Sequence, residues 1–188
     1  MIFKRIFDII FSLVLLFILA MPLLFLAVII RLESNGPSIF YSKRFGKDNK
    51  IFLMPKFRTM KMETPLVASN LLYDSEKYIT GLGKRLRKSS LDELPQLWSI
   101  FIGDMSFVGP RPALFNQHDL ILLRENYNIH SLTPGLTGWA QVNGRDKITI
   151  NKKVEIERFY QINQSMKFDL KILYLTFLKV IKMNDIKH

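Results

Sequence analysis

The chain has 188 residues, a formal net charge of +11 and no cysteine. That is enough for about one domain, and it excludes a disulfide framework and any thiolate metal site. A pI near 9.9 calls for an anionic partner, and the positive mean hydropathy of +0.12 is explained more easily by a membrane than by DNA.

Lys4 and Arg5 precede a nearly continuous apolar run from Ile6 to Ile30, with no charge from Ile9 to Ile30. A straight helix of that length would be roughly 33 Å long, enough to cross a bilayer. Three readings fit: a spanning helix, a cleaved signal peptide, and a helix that enters the membrane, bends and returns. The run is longer than a usual signal peptide's apolar core and has no clear cleavage site. Pro22 would kink a helix. Basic residues at both flanks, Lys4 and Arg5 before the run and Arg31, Lys43 and Arg44 after it, satisfy the positive-inside tendency only if both ends stay on one side. Kinked spanning helices are common, so the residues alone place spanning slightly ahead.

Gly36-Pro37 marks a turn. Ser38 to Lys43 and Ile51 to Phe57 are β-prone runs joined through Gly46-Lys47-Asp48-Asn49, which predicts a hairpin. Lys56 and Arg58 follow at alternating positions and would share a face; such bases are usually solvated. Lys61 to Gly83 has little periodicity and reads as a loop with at most one helical turn.

Lys84-Arg85-Leu86-Arg87-Lys88 then leads into Ser89-Ser90-Leu91-Asp92-Glu93-Leu94-Pro95-Gln96. Ser90 and Glu93 have the spacing of a capping box ahead of Leu97, Trp98 and Phe101. Pro95 weakens that register, and a start at Leu91 or Asp92 would place it in the first turn, where its missing N–H matters less. Either way two carboxylates lie near a helix N-terminus, which favours their ionised form. An ionised Asp beside a cation suits attack on phosphorus; the adjacent Glu could hold Mg²⁺, which usually takes one or two carboxylates. Plain capping competes with this chemistry. Downstream, Gly109-Pro110-Arg111-Pro112 presents Arg111 from a stiff backbone.

Ala113 to Tyr127 reads as a helix, with His118 lacking any spaced metal-ligand partner. Thr133 to Arg145 reads as a turn, a short strand and a second turn, its glycines permitting close backbone approach. No Rossmann or P-loop pattern is present. Asn151 to Ile162 is a mixed-charge helix. Lys167 to Lys182 is apolar on most sides, with Lys167, Lys171, Lys179 and Lys182 on about a third of the circumference; it fits an interfacial membrane helix or a buried core helix equally.

These stretches resemble the bacterial sugar transferases known as monotopic phosphoglycosyl transferases, most closely the small form typified by bacillosamine-phosphate transferases. The resemblance rests on Lys56-Phe57-Arg58-Thr59-Met60, Gly81-Leu82-Gly83, Ser90 to Leu97, Gly103 to Pro112, Pro134 to Arg145 and Asp169-Leu170-Lys171, in the family's order along most of the chain.

It implies an α+β, mainly helical fold: a re-entrant membrane helix over 1–32 with its kink at Pro22, then a compact cytoplasmic catalytic domain over 33–188 with a short β-hairpin and amphipathic interface helices. The implied reaction transfers a sugar 1-phosphate from a UDP-sugar to a polyprenyl (undecaprenyl) phosphate at the cytoplasmic face of a bacterial inner membrane, releasing UMP. Asp92 is then the nucleophile and, with Glu93, a ligand of Mg²⁺. Arg87 and Arg145 match basic residues near the substrate phosphates, Lys56 joins the substrate set, and Pro110-Arg111-Pro112 matches the nucleotide-contacting segment. Membrane lipids are expected partners and nucleic acid is not; charge and apolar faces leave room for a homodimer. Met21, Thr133 and Glu157 depart from the family's pattern of Ser, a basic residue and Asp. Two other readings stay open: a non-catalytic, membrane-anchored basic protein that binds acidic lipid or nucleic acid, and a metal-dependent phosphohydrolase.

Overall fold

The computed structural model describes residues 2–65, 75–144 and 148–182. The fold is α+β and mainly helical. Helix α1 runs from Ile2 to Glu33 and continues through Pro22. Among the described residues it is the one helix long and apolar enough to cross a membrane. Its inward face follows helical spacing. Asp8, Ser12 and Ile30 are buried, and Leu15, Leu16, Leu19, Leu23 and Leu26 pack on the domain core. Pro22, Phe17, Met21 and Phe25 face outward.

Polar contacts fix the start of α1. Arg5 donates to the carbonyls of Ile100 and Phe101 at 2.6 and 2.7 Å, and the Asp8 carboxylate accepts from the Phe107 N–H at 3.2 Å. Arg58 fixes the other end, donating to the carbonyls of Ser34 and Asn35 just past the helix. A cation at carbonyls left over at a helix C-terminus is favourable for both hydrogen bonding and the helix dipole. Arg58 therefore does not share Lys56's surroundings, as strict alternation would have it, because the strand ends at Phe57.

The expected hairpin forms. Strand β1 (Ile39–Phe45) pairs antiparallel with β2 (Ile51–Phe57), Ser42 opposite Met54 and Arg44 opposite Phe52. The 81–83 segment, expected in a loop, instead opens helix α2 (Gly81–Ser89), capped by the Thr80 hydroxyl, which accepts from the Gly83 N–H. A Cβ on Gly83 would stand 2.2 Å from the Thr59 carbonyl oxygen, so this glycine serves close approach of helix to strand end.

The capping box does not form. Ser90 adopts φ +58° and closes α2, its N–H reaching the Leu86 and Arg87 carbonyls, whereas an N-cap needs extended backbone. A 3₁₀ turn over Leu91–Glu93 follows, and helical Leu94 and Pro95 carry it into helix α3 (Gln96–Ile102). The helical path thus starts near Leu91, with Pro95 early enough that its missing N–H costs little.

Strand β3 (Ser106–Val108) pairs in parallel with β5 (Gly135–Thr137). The helix expected from Ala113 is shorter: Ala113–Leu114 forms β4 on the β1 edge, and helix α4 spans His118–Asn126 with His118 exposed. Helices α5 (Trp139–Val142), α6 (Ile150–Ile162) and α7 (Met166–Lys182) complete the domain. Helix α7 divides the two readings offered for it. Ile172 and Asp169 are buried, while Leu170, Tyr174, Phe177 and Val180 are exposed. The main core joins Met54, Leu97, Ile100, Phe107, Tyr160 and Ile172 from sheet and helices.

Candidate active site

The 3₁₀ turn at Leu91–Glu93 places two adjacent carboxylates inside the domain, Asp92 at 6 % and Glu93 at 8 % exposure. Cations reach them from two directions. Lys56, on the inward face of β2, donates to Glu93 Oε1 at 2.8 Å. Arg111 forks onto the same carboxylate, Nη2 to Oε1 at 2.6 Å and Nη1 to Oε2 at 3.4 Å. Such charge-assisted bonds are the geometry that makes arginine a planar carboxylate reader.

The segment carrying Arg111 is held by backbone. Gly109 donates to the Thr137 carbonyl and Gly135 to the Pro110 carbonyl, both at 2.9 Å. Gly109, Gly135 and Gly138 cross so closely that a Cβ on any of them would stand 2.1 to 2.3 Å from a backbone atom. Pro110 and Pro112 are buried in this packing, so the side chain exposed toward the site from the triplet is Arg111. A second buried pair supports it from behind. Arg124 binds Glu157 through two bonds of 2.8 and 2.6 Å and donates to the Arg111 carbonyl at 3.0 Å. Glu157 thus meets an arginine within the fold.

The two carboxyls ionise differently. Burial alone would raise Glu93, but the charges and hydrogen bonds of Arg111 and Lys56 override it and hold the group well below the usual carboxylate range. Burial pushes Asp92 up to about 6; neighbouring Glu93 adds to this, while Lys56, Arg87 and Arg111 oppose it. Asp92 Oδ1 is buried with no hydrogen-bond partner among the described residues. Burial also lowers Lys56, with Arg111 reinforcing and Glu93 resisting the shift. Arg87 is lowered by burial and felt by Asp92, and its Nε donates to the Thr59 hydroxyl at 2.8 Å.

The structure therefore brings together Lys56, Arg87, Asp92, Glu93 and Arg111, with Pro110 and Pro112 as the frame of Arg111. Arg145 lies outside the described residues. Sequence reasoning missed Arg124, for which no local motif exists, and Arg44, read as a membrane-flanking charge. Strand alternation was the available signal for Arg44, since it puts this residue on the face of Ser42 and, across the hairpin, of Met54 and Lys56.

The Bacterial sugar transferase family profile matches residues 1–183. The chain belongs to that family. It is 42% identical over 187 residues to a Bacillus subtilis (strain 168) protein named "Uncharacterized sugar transferase EpsL", covering 100% of this chain and 91% of that one. It is 39% identical to the UDP-glucose:undecaprenyl-phosphate glucose-1-phosphate transferase of Escherichia coli (strain K12), over 94% of this chain and 39% of that enzyme. Identity to the undecaprenyl-phosphate galactose phosphotransferase of Salmonella typhimurium is 34%, over 97% and 41%. The chain thus spans about two fifths of the length of these two enzymes. Membership makes the protein a transferase and removes the reading as a non-catalytic basic protein.

Proposed function

We propose that this sugar transferase moves a sugar 1-phosphate from a UDP-sugar to a polyprenyl phosphate, releasing UMP, with Asp92 as the nucleophile. The observation that carries the reading is the asymmetry of the acidic pair. Glu93 is committed to Lys56 and Arg111, whereas Asp92 keeps a buried, unbonded oxygen and a pKa of about 6, so it is mostly ionised at neutral pH. An unsolvated carboxylate oxygen among cations is a poised nucleophile.

In the first step a carboxylate oxygen of Asp92 attacks the sugar-bearing phosphorus of the donor. An aspartyl O–P bond forms, the bond to the bridging oxygen breaks, and UMP leaves with that oxygen and its electron pair. In the second step a phosphate oxygen of the polyprenyl phosphate attacks the same phosphorus. The aspartyl bond breaks, Asp92 regains its carboxylate, and a polyprenyl diphosphate sugar departs. Lys56, Arg87 and Arg111 offset the charge that gathers on the phosphoryl oxygens.

For Mg²⁺ the fit is divided. Asp92 Oδ1 offers a free ligand oxygen, and one carboxylate with substrate phosphate and water is an ordinary Mg²⁺ set. Both oxygens of Glu93 are engaged by Lys56 and Arg111, so a metal role for Glu93 requires those bonds to exchange. When bound, the ion would neutralise phosphate oxygens that otherwise repel the carboxylate.

We infer a monotopic, cytoplasmic-face placement for α1. Support comes from both ends, because Arg5 and Asp8 hold its start, and Arg58 its end, to one domain. Its outward residues, with Trp98, Tyr174 and Phe177, form an apolar exterior suited to lipid.

The test is UMP release by detergent-solubilised protein given a UDP-sugar and Mg²⁺ without acceptor. A stoichiometric burst that continues only on adding undecaprenyl phosphate is expected, and Asp92→Asn should abolish both phases. Turnover by that variant would refute the covalent assignment; steady UMP formation without acceptor would favour the phosphohydrolase reading.

A further inference from the structure

Arg44 lies in β1, the central strand of its sheet, with β2 on one side and β4 on the other. Its Cα faces Phe52 across one pairing and Leu114 across the other, so the backbone beneath it is fixed. The guanidinium lies against Ser42 and the segment that carries Arg111: Nε donates to Ser42 Oγ at 3.0 Å and Nη1 to the Pro112 carbonyl at 3.3 Å. Both acceptors are neutral. Among the described residues no carboxylate forms an ion pair with Arg44.

A guanidinium in such a place is costly to keep. It is largely withdrawn from water and repelled by Arg111, which together lower its pKa to about 10, and Glu93 alone works the other way. Glu93 is already bound by Lys56 and Arg111. Arg44, Lys56 and Arg111 thus gather about one carboxylate, Glu93. A cation withdrawn from water with only neutral hydrogen-bond acceptors is stabilised when an anion arrives to meet it. Arg44 Nη1 meets the carbonyl of Pro112, the residue after Arg111, and the paired N–H donors of a guanidinium match the oxygens of a phosphate.

We propose that Arg44 is a phosphate-binding residue of the substrate site, acting with Arg111 on one anionic phosphoryl group. This rests on the transferase reading above. The phosphate belongs either to the nucleotide-sugar diphosphate or to the polyprenyl phosphate. The competing reading is structural, with Arg44 serving only to brace the Pro112 carbonyl.

The experiment uses the full chain in detergent as wild type, Arg44→Gln and Arg44→Lys. UMP binding is measured by calorimetry over a range of ionic strengths, KM is measured separately for UDP-sugar and undecaprenyl phosphate, and thermal unfolding is followed in parallel. A lost charge-assisted bond predicts that Arg44→Gln weakens one ligand by about 10- to 100-fold. Loss of UMP affinity with a raised UDP-sugar KM assigns Arg44 to the donor; a raised KM for undecaprenyl phosphate alone assigns it to the acceptor. Either outcome supports the proposal when the ionic-strength dependence also becomes shallower, which bracing would not alter. Arg44→Lys keeps the charge without the fork and should recover part of the affinity, and it serves as the second probe should the Gln variant fold poorly. Unchanged UMP affinity and both KM values within twofold in a folded variant would overturn it. Failure of the wild type to bind UMP would instead sink the proposed UDP-sugar reaction on which this inference rests.

Discussion

Replacing Asp92 by Asn separates stability from activity in a way the site's electrostatics dictate. The folded carboxyl titrates near 6, against 3.8 for the ordinary group. A difference of about two units corresponds to about 3 kcal/mol against holding Asp92 ionised in the fold. For an acid raised in the folded state, the native protein binds the extra proton between the two pKa values. Stability from this group is therefore intact below about pH 4 and falls as pH rises to about 6, with the full cost present above. Asp92→Asn should be more stable than wild type at pH 7, by up to about 3 kcal/mol, and indistinguishable from it near pH 4. Urea unfolding at both pH values measures the difference. On the activity side, kcat/KM for the donor should rise about tenfold per pH unit below 6 and level off above it, because only the carboxylate attacks. Lys56→Met removes the largest charge that lowers Asp92, so the same limb should move to higher pH. An Asn variant no more stable than wild type at pH 7, or a flat profile from pH 5 to 8, would refute the assignment.

Glu157→Gln strands Arg124 as a buried, poorly matched charge and should cost about 3–5 kcal/mol by denaturant unfolding, with loss of UMP release as the Arg111 carbonyl loses its anchor. Gly138→Ala would press a methyl into the Gly109 carbonyl; about 1–3 kcal/mol of destabilisation is expected, and a wild-type unfolding curve would contradict the close crossing. Arg58→Met should free the C-terminal end of α1, read as faster proteolysis near Ser34 and Asn35 with the pH profile unchanged. Single cysteines placed at residues 3 and 35, in a chain that has none of its own, should both label from the cytoplasmic side in inverted and right-side-out vesicles. Labelling of one end from the opposite face would restore a spanning helix.

The elements with strong local signals were legible in the sequence. Ile2–Glu33, the hairpin and α6 follow from a continuous apolar run, β-prone segments joined by turn residues, and a mixed-charge helical stretch, and they appear within a few residues of expectation. Gly83 shows where local reading stops, because a glycine that signals a loop by propensity sits in a helix for the sake of contact with Thr59, distant in sequence. Ser90 and Glu93 have a capping-box spacing, but the pull of Lys56 and Arg111 on Glu93 is stronger than a bond to a backbone N–H, and the serine closes the preceding helix instead. Arg44 and Arg124 are legible only in three dimensions. Their partners, Pro112 and Glu157, come from separate parts of the chain.

Adjacent carboxylates on a loose, exposed loop would share one solvated environment. In the Leu91–Glu93 turn they do not, because a 3₁₀ turn spaces successive side chains by about a third of a revolution. Glu93 is thereby turned into the fork of Arg111 and the ammonium of Lys56, while Asp92 keeps an oxygen that no protein group satisfies. The same two cations that fix Glu93 lie close enough to lower Asp92, so Glu93 sets the position of the charges that tune its neighbour. Two carboxyls pushed apart in pKa are the mark of divided roles. Here the division makes Glu93 the anchor of the cationic site and leaves Asp92 as the group with both the free oxygen and the protonation state to react. Removing Glu93 should therefore disable the site even in the absence of any metal effect, because Lys56 and Arg111 would lose their common partner and turn toward Asp92.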